Sequence, residues 1–170
     1  MLLAPSEESL TFLHNTNDTR IYQYTSVQVD TAGNRSGYGD TLSIEIDHTL
    51  PSAQISFEGD SLVRAGDVST IATFKFSEPM DNVNVPRVDI NYPEVDFLLD
   101  LTSQPLTEGS SDSVWTFVIP LNSAGLDTID GAIELTVNAS DVAGNEILAD
   151  SITGLASLIV DNTAAKFSSF

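Results

Sequence analysis

The chain has 170 residues, with six Lys plus Arg against twenty-five Asp plus Glu, a formal net charge of −19, no cysteine and 41% hydrophobic residues. A surface this acidic repels phosphate, which argues against nucleic acid and anionic lipid as partners, and the apolar fraction points to a packed core instead of disorder. Disulfides and thiolate metal sites are excluded, and no apolar run approaches the 18 residues of a spanning helix.

In chain order, every element reads as a strand. The first part offers apolar stretches at 10–13, 21–29 and 42–46, and a fresh strand follows at 53–57. Residues 69–76 alternate, with Ala72, Phe74 and Phe76 on one face and Ile71, Thr73 and Lys75 on the other. At 114–119, Trp115, Phe117 and Ile119 share a face, and at 132–139 Ile133, Leu135, Val137 and Ala139 do the same. Residues 155–160 form a more continuous apolar run, as a central strand would. Turn residues punctuate these stretches at Glu58-Gly59-Asp60, Arg64-Ala65-Gly66-Asp67, Glu108-Gly109, Asp130-Gly131 and Ala143-Gly144-Asn145. No window of a dozen residues carries a 3.6-residue period. About seven short strands in roughly 110 residues predict an all-β, immunoglobulin-like Greek-key β-sandwich.

The chain also says one thing twice. Val29-Asp30-Thr31-Ala32-Gly33-Asn34 leads into Ile44-Glu45-Ile46-Asp47-His48-Thr49-Leu50-Pro51, and Ser140-Asp141-Val142-Ala143-Gly144-Asn145 leads into Leu158-Ile159-Val160-Asp161-Asn162-Thr163. The first motifs lie 111 residues apart and the second 114. That period is one small domain long, far beyond the 20–50 residues of a solenoid repeat. The expected organisation is residues 1–49 as the C-terminal part of a preceding repeat, 50–162 as one complete domain, and 163–170 as the start of a following one. Met1-Leu2-Leu3-Ala4-Pro5 lacks the basic flank and apolar core of a signal peptide, so any export signal is expected upstream.

Phe74-Lys75-Phe76-Ser77-Glu78-Pro79-Met80-Asp81, Asp141-Val142-Ala143-Gly144-Asn145 and Val160-Asp161-Asn162-Thr163-Ala164 together resemble the bacterial Ig-like repeats of large secreted adhesins, the acidic, cysteine-free arrays of biofilm and RTX-type surface proteins. The likeness covers 50–162, and 21–49 as the tail of a previous repeat. His48 and Leu50 depart from the pattern in the first linker, and Ala165 stands where a proline would be usual in the second. The resemblance implies an extender, placed outside the cell or on its surface, whose neighbours are further repeats of the same chain. It also implies that calcium can sit at domain junctions.

The residues give calcium a separate argument. In a sandwich with strands running pole to pole, Asp47, Glu78, Asp81, Asp141 and Asn145 are expected at the N-terminal pole. Glu58, Asp60, Asp127, Asp130 and Asp161 are expected at the other. Only three Lys or Arg lie within 50–162, and calcium takes six to eight oxygen ligands of this kind. The competing reading is local turn chemistry, since Asp, Asn and Gly favour turns and Gly144 is suited to positive φ. Both stand for Asp141. There is no EF-hand loop and no glycine-rich calcium nonapeptide.

Catalytic motifs are missing: no cysteine nucleophile, no Gly-x-Ser-x-Gly elbow and no phosphate loop. His14 and His48 lack a zinc-binding partner spacing. Trp115 and Phe117 fall in phase with Ile119 and are expected in the core, with Tyr38 and Tyr92 exposed. Pro51 fixes its own φ and biases Leu50 towards extended backbone, leaving little slack in the linker. The expected function is a non-catalytic, monomeric extender repeat. The alternative is a carbohydrate- or protein-binding module of the same fold, or an accessory domain of a secreted hydrolase.

Overall fold

In the computed structural model, the described residues are 14–59, 61–64, 67–92, 101–121, 130–154, 157–164 and 166. The predicted strand at 10–13, the acids Asp60 and Asp127, residues 155–156 and Ala165 lie outside them. The chain falls into two compact units, Met1–His48 and Thr49–Phe170.

The second unit is an all-β sandwich built from β3 (Ala53–Phe57), β4 (Leu62–Val63), β5 (Ser69–Phe76), β6 (Arg87–Asn91), β7 (Leu101–Pro105), β8 (Thr107–Ser111), β9 (Val114–Pro120), β10 (Gly131–Asn138), β11 (Ile152–Gly154) and β12 (Ser157–Val160). Its two five-stranded sheets have the orders β11-β3-β5-β9-β8 and β4-β12-β10-β6-β7. Among the described residues of this unit, ten strands stand where about seven were expected, because three segments change sheets: β3 hands over to β4, β7 to β8 and β11 to β12. Counted as segments A to G, one sheet holds A, B, E and D and the other G, F and C. This is the partition of immunoglobulin-type sandwiches.

Alternation drives this assembly. Along β5, Thr70, Ala72, Phe74 and Phe76 turn inward and are buried. From the facing sheet come Val88, Ile90, Ile133, Leu158 and Val160, each at most 1% exposed. Trp115 fills the centre at 2% exposure and its indole N–H donates to the Asp112 carbonyl at 2.9 Å. A buried aromatic of this size is worth about 3–5 kcal/mol against alanine. Leu106 marks the β7–β8 switch: its side chain is buried while its N–H bonds the Pro86 carbonyl at 2.8 Å. Tyr92 corrects the sequence reading. It is 6% exposed instead of solvated, because it continues the inward phase of Val88 and Ile90 and its hydroxyl donates to the Pro120 carbonyl at 2.8 Å. Tyr38 is exposed at 81%.

The described part of the first unit centres on an antiparallel ribbon, β1 (Arg20–Tyr24) and β2 (Leu42–Ile46), paired Arg20↔Ile46, Ile21↔Glu45 and Tyr22↔Ile44. In the second unit β10 and β12 pair Gly131↔Val160, Ala132↔Ile159 and Ile133↔Leu158. Moving β1 by 111 positions and β2 by 114 turns one register into the other. The repeat in the sequence is therefore a repeat in the backbone pairing. Ile21 pairs with Glu45 on the opposite side from Tyr22 and Tyr24, and is 61% exposed.

Candidate functional site

One pole of the second unit gathers the loops the sequence singled out. Ser52 and Ser77 lock the start of β3 to the end of β5: the Ser77 N–H donates to the Ser52 carbonyl, and the Ser52 N–H to the Ser77 hydroxyl, both at 2.9 Å. The Asp81 N–H donates to the Ser140 carbonyl at 3.0 Å, and Met80 bridges to Asp141. The Ser151 hydroxyl donates to the Pro51 carbonyl at 3.2 Å. The B–C and F–G loops thus share this end, the pole that carries the binding loops in antibody variable domains.

The loop from Asp141 to Asn145 closes on itself. Asn145 donates its backbone N–H to Asp141 Oδ1 at 2.8 Å and its side-chain amide to Oδ2 at 2.7 Å. Backbone bonds run from Asp141 N to the Asn145 carbonyl and from Gly144 N to the Asp141 carbonyl. Gly144 takes φ of 91°, the left-handed region that a Cβ disfavours. The Asp141 side chain is 2% exposed, and a buried carboxylate needs such donors to offset its desolvation. In the first unit, Asp30 repeats the arrangement: it accepts from the Asn34 N–H at 2.8 Å and from the Asn34 amide at 2.8 Å, with Gly33 at φ of 87°. Even the flanking bridges match, Val29 to Arg35 and Ser140 to Glu146. The turn role of Gly144 and Asn145 is therefore a geometric fact. The sequence signal for Asp30 and Asn34 was the motif itself, although neither was singled out as a site residue. The Asn34 side chain and backbone hold the Asp30 carboxyl below its usual range.

The remaining candidates divide. Both carboxylate oxygens of Asp81 face its own loop, one accepting from the Val83 N–H at 2.7 Å and the other from the Asn84 amide at 2.8 Å. The Val83 N–H, then Asn84, hold that carboxyl low. Asn84 was not anticipated, and its Asp-x-x-Asn spacing is the signal that would have found it. Glu78 is half-buried, and one of its oxygens lies within 4.8 Å of one from Asp141. Asp47 belongs to the first unit, directly after β2, and accepts from the Thr19 hydroxyl at 3.4 Å. Asp161 follows β12 at the position that Asp47 holds after β2, with its N–H on the Val63 carbonyl and its carboxylate accepting from the Thr163 N–H at 3.0 Å. It is thus apart from Asp141, at the far end of the sandwich, as expected.

That far end repeats a closure as well. Asp130 accepts from the Asn162 N–H at 2.5 Å and from the Thr163 hydroxyl, and the latter contact is the main reason its carboxyl sits low. At the equivalent place in the first unit, the His48 N–H donates to the Thr19 hydroxyl at 2.8 Å. His48 is thereby tied into the end of its own unit, and its ring meets the Thr16 carbonyl at 3.2 Å.

Beside the loop-bearing pole, Val83, Asn84, Arg87, Asn138, Glu146 and Ile147 line an open groove of about 370 Å³. Among the described residues no helix is long and apolar enough to cross a membrane. No protein-family model, curated protein or solved structure gives a match to this chain.

Proposed function

We propose that the chain is part of an extender: a non-catalytic immunoglobulin-like repeat of a bacterial surface or secreted adhesin, which holds a distal binding domain away from the cell. The observation that carries this reading is the duplication of one structural element in both units, with the same strand register and the same self-closed Asp-x-x-Gly-Asn loop. Units that repeat in this way are built to be strung together, and each adds length without adding chemistry. Electron microscopy of proteins carrying two, four and eight copies of residues 49–162 tests it. The contour length should rise in proportion to copy number.

The reading includes calcium at the loop-bearing pole of the second unit. Glu78 and Asp141 bring two carboxylate oxygens within 4.8 Å, where like charges repel and a hard dication relieves the repulsion. Both Asp81 oxygens and both Asp141 oxygens also accept hydrogen bonds within their own loops, and the Asn145 amide serves Asp141, so Glu78 is the carboxylate on which the test is made. If calcium binds, linkage adds about 2.7 kcal/mol of stability at a free concentration 100 times Kd. Millimolar calcium should then raise the melting temperature more than sodium chloride of equal ionic strength, and Glu78→Gln should remove the difference. Superimposed melting curves in the two salts would dismiss the metal.

A second reading, a carbohydrate- or protein-binding module, draws on the groove beside the same pole and on Val83 and Val142, exposed at 84% and 74% on its two loops. Loss of ligand capture by a Val83→Asp, Val142→Asp variant that melts like the parent would favour it.

A further inference from the structure

Four strands of the second unit have a neighbour on one side only among the described residues: β4, β7, β8 and β11. An open side offers unpaired N–H and C=O groups to a further strand. The readiest partner is the same strand of a second copy, which meets it about a two-fold axis. β4 and β11 are two and three residues long, too short to hold a partner strand. β8 carries Glu108, so two copies would bring like charges together. β7, Leu101-Thr102-Ser103-Gln104-Pro105, has neither protection: it is five residues long and bears no charge in a chain of −19.

What β7 has is a bulge. Val88 pairs with Gln104 and Ile90 with Leu101, so the single residue Asp89 faces two, Thr102 and Ser103. Ser103 takes up the extra length at φ of 51°, and among the described residues it is the one non-glycine in the left-handed region. A Cβ disfavours that conformation, so the surroundings must hold it. They do so with side chains on the solvent face of β6. The Ser103 N–H donates to Asp89 Oδ1 at 2.5 Å, and the Arg87 guanidinium donates to the Ser103 carbonyl at 2.7 Å. The amide of Asn138, the register partner of Arg87 on β10, donates to the other Asp89 oxygen at 3.2 Å. Both polar groups of the Ser103 backbone are thereby engaged by β6 side chains, and Pro105 has no N–H to offer.

We propose that this tethered bulge is a stop that keeps a second copy of the unit from adding to the β7 edge. Bulges at sheet edges bend and twist the strand and end its pairing. Here the bulge falls in the middle of the one long, uncharged edge, where no other device would turn a partner away. Units strung in one chain meet at effective concentrations of about millimolar, at which an unguarded edge of this kind would join neighbours side to side. The stop acts equally between separate molecules, so the assignment does not depend on the extender reading.

The test removes the stop from the whole chain. Deleting Ser103 leaves Thr102 opposite Asp89 and restores a regular ladder, with Leu101 and Gln104 in their present pairs. Sedimentation equilibrium measures self-association against the unaltered chain, hydrogen exchange at residues 101–104 locates it, and Trp115 fluorescence in urea reports folding. The deletion should tighten the dimer constant at least about tenfold, the worth of a few cross-strand pairs, and should slow exchange at β7. Ser103→Gly keeps the bulge and should associate no more than the parent. A deletion variant with the parent's urea midpoint and the parent's mass would overturn the proposal. If the deletion lowers that midpoint, the double variant Arg87→Ala, Asp89→Ala decides, since it cuts both tethers and leaves the net charge unchanged. It should associate more than the parent, and an equal mass would overturn the proposal. An unaltered chain that already dimerises with residues 101–104 protected would do the same.

Discussion

Replacing Asp141 by alanine is the sharpest test of how the second unit is held together. The carboxylate is 2% exposed and accepts two bonds from Asn145, at 2.8 and 2.7 Å. Hydrogen bonds to charged groups contribute about 1.5–3 kcal/mol each, and a buried donor left without a partner costs about 1–3 kcal/mol. The bonds are not additive, because both donors belong to one residue of a five-residue loop, so the expected loss is about 3 kcal/mol. Trp115, the only tryptophan, lies in the core of this unit and reports its unfolding without interference from the first. With a urea slope of about 1.5 kcal/mol per molar, the fluorescence midpoint should fall by about 2 M at an unchanged slope. Asp141→Asn keeps one acceptor oxygen and should lose roughly half as much. A midpoint shift below about 0.3 M for the alanine variant would refute the claim that this turn pins the pole.

Other consequences follow from the same geometry. Gly144→Ala should destabilise by about 1–2 kcal/mol through positive φ alone, since a Cβ there meets nothing within 4 Å. Gly154→Ala should cost clearly more, because its Cβ would lie 2.4 Å from the Ile55 carbonyl oxygen and break the β11–β3 pairing; equal urea midpoints for the two variants would contradict this. Asp30, Asp81 and Asp130 all have carboxyls held below their unfolded range. Their stabilisation is therefore fully present above the unfolded value near 4 and is lost as pH falls below it, so melting temperatures should be flat from these groups between pH 6 and 8 and decline under about pH 4. Relief of the −19 net charge acts in the opposite direction on acidification, and the Asp81→Asn variant separates the two by shallowing only the decline.

Much of the sandwich is readable before any coordinates. Phe74, Phe76, Ile133 and Val137 alternate with polar neighbours, and a period of two leaves a strand no other way to bury them. The sheet changes are not readable, because at β7–β8 the switch is made by Leu106 alone ahead of a strand whose exposed residues, Thr107 to Ser111, carry no apolar signal. Tyr92 was misjudged because its phase with Val88 and Ile90 ends at the strand terminus, and its hydroxyl partner Pro120 is distant in sequence. At the site, the motif Asp-x-x-Gly-Asn announced its turn through Gly and Asn, whose backbone preferences are local. What it did not announce is that Asp81 forms a closed turn of its own with Asn84, or that Asp130 and Asn162 close the other end. Those pairings depend on loop conformation, which composition does not encode.

The extender reading turns on whether consecutive units hold themselves in line. Only residues 47–52 separate β2 from β3, and Pro51 restrains them. Small-angle scattering from a protein with two consecutive complete repeats, recorded in calcium and in EDTA, measures this directly. The account predicts a maximum dimension near the sum of two domain lengths in calcium, with a shorter or broader distribution in EDTA. A compact particle in both conditions, with one unit folded back on the other, would contradict it.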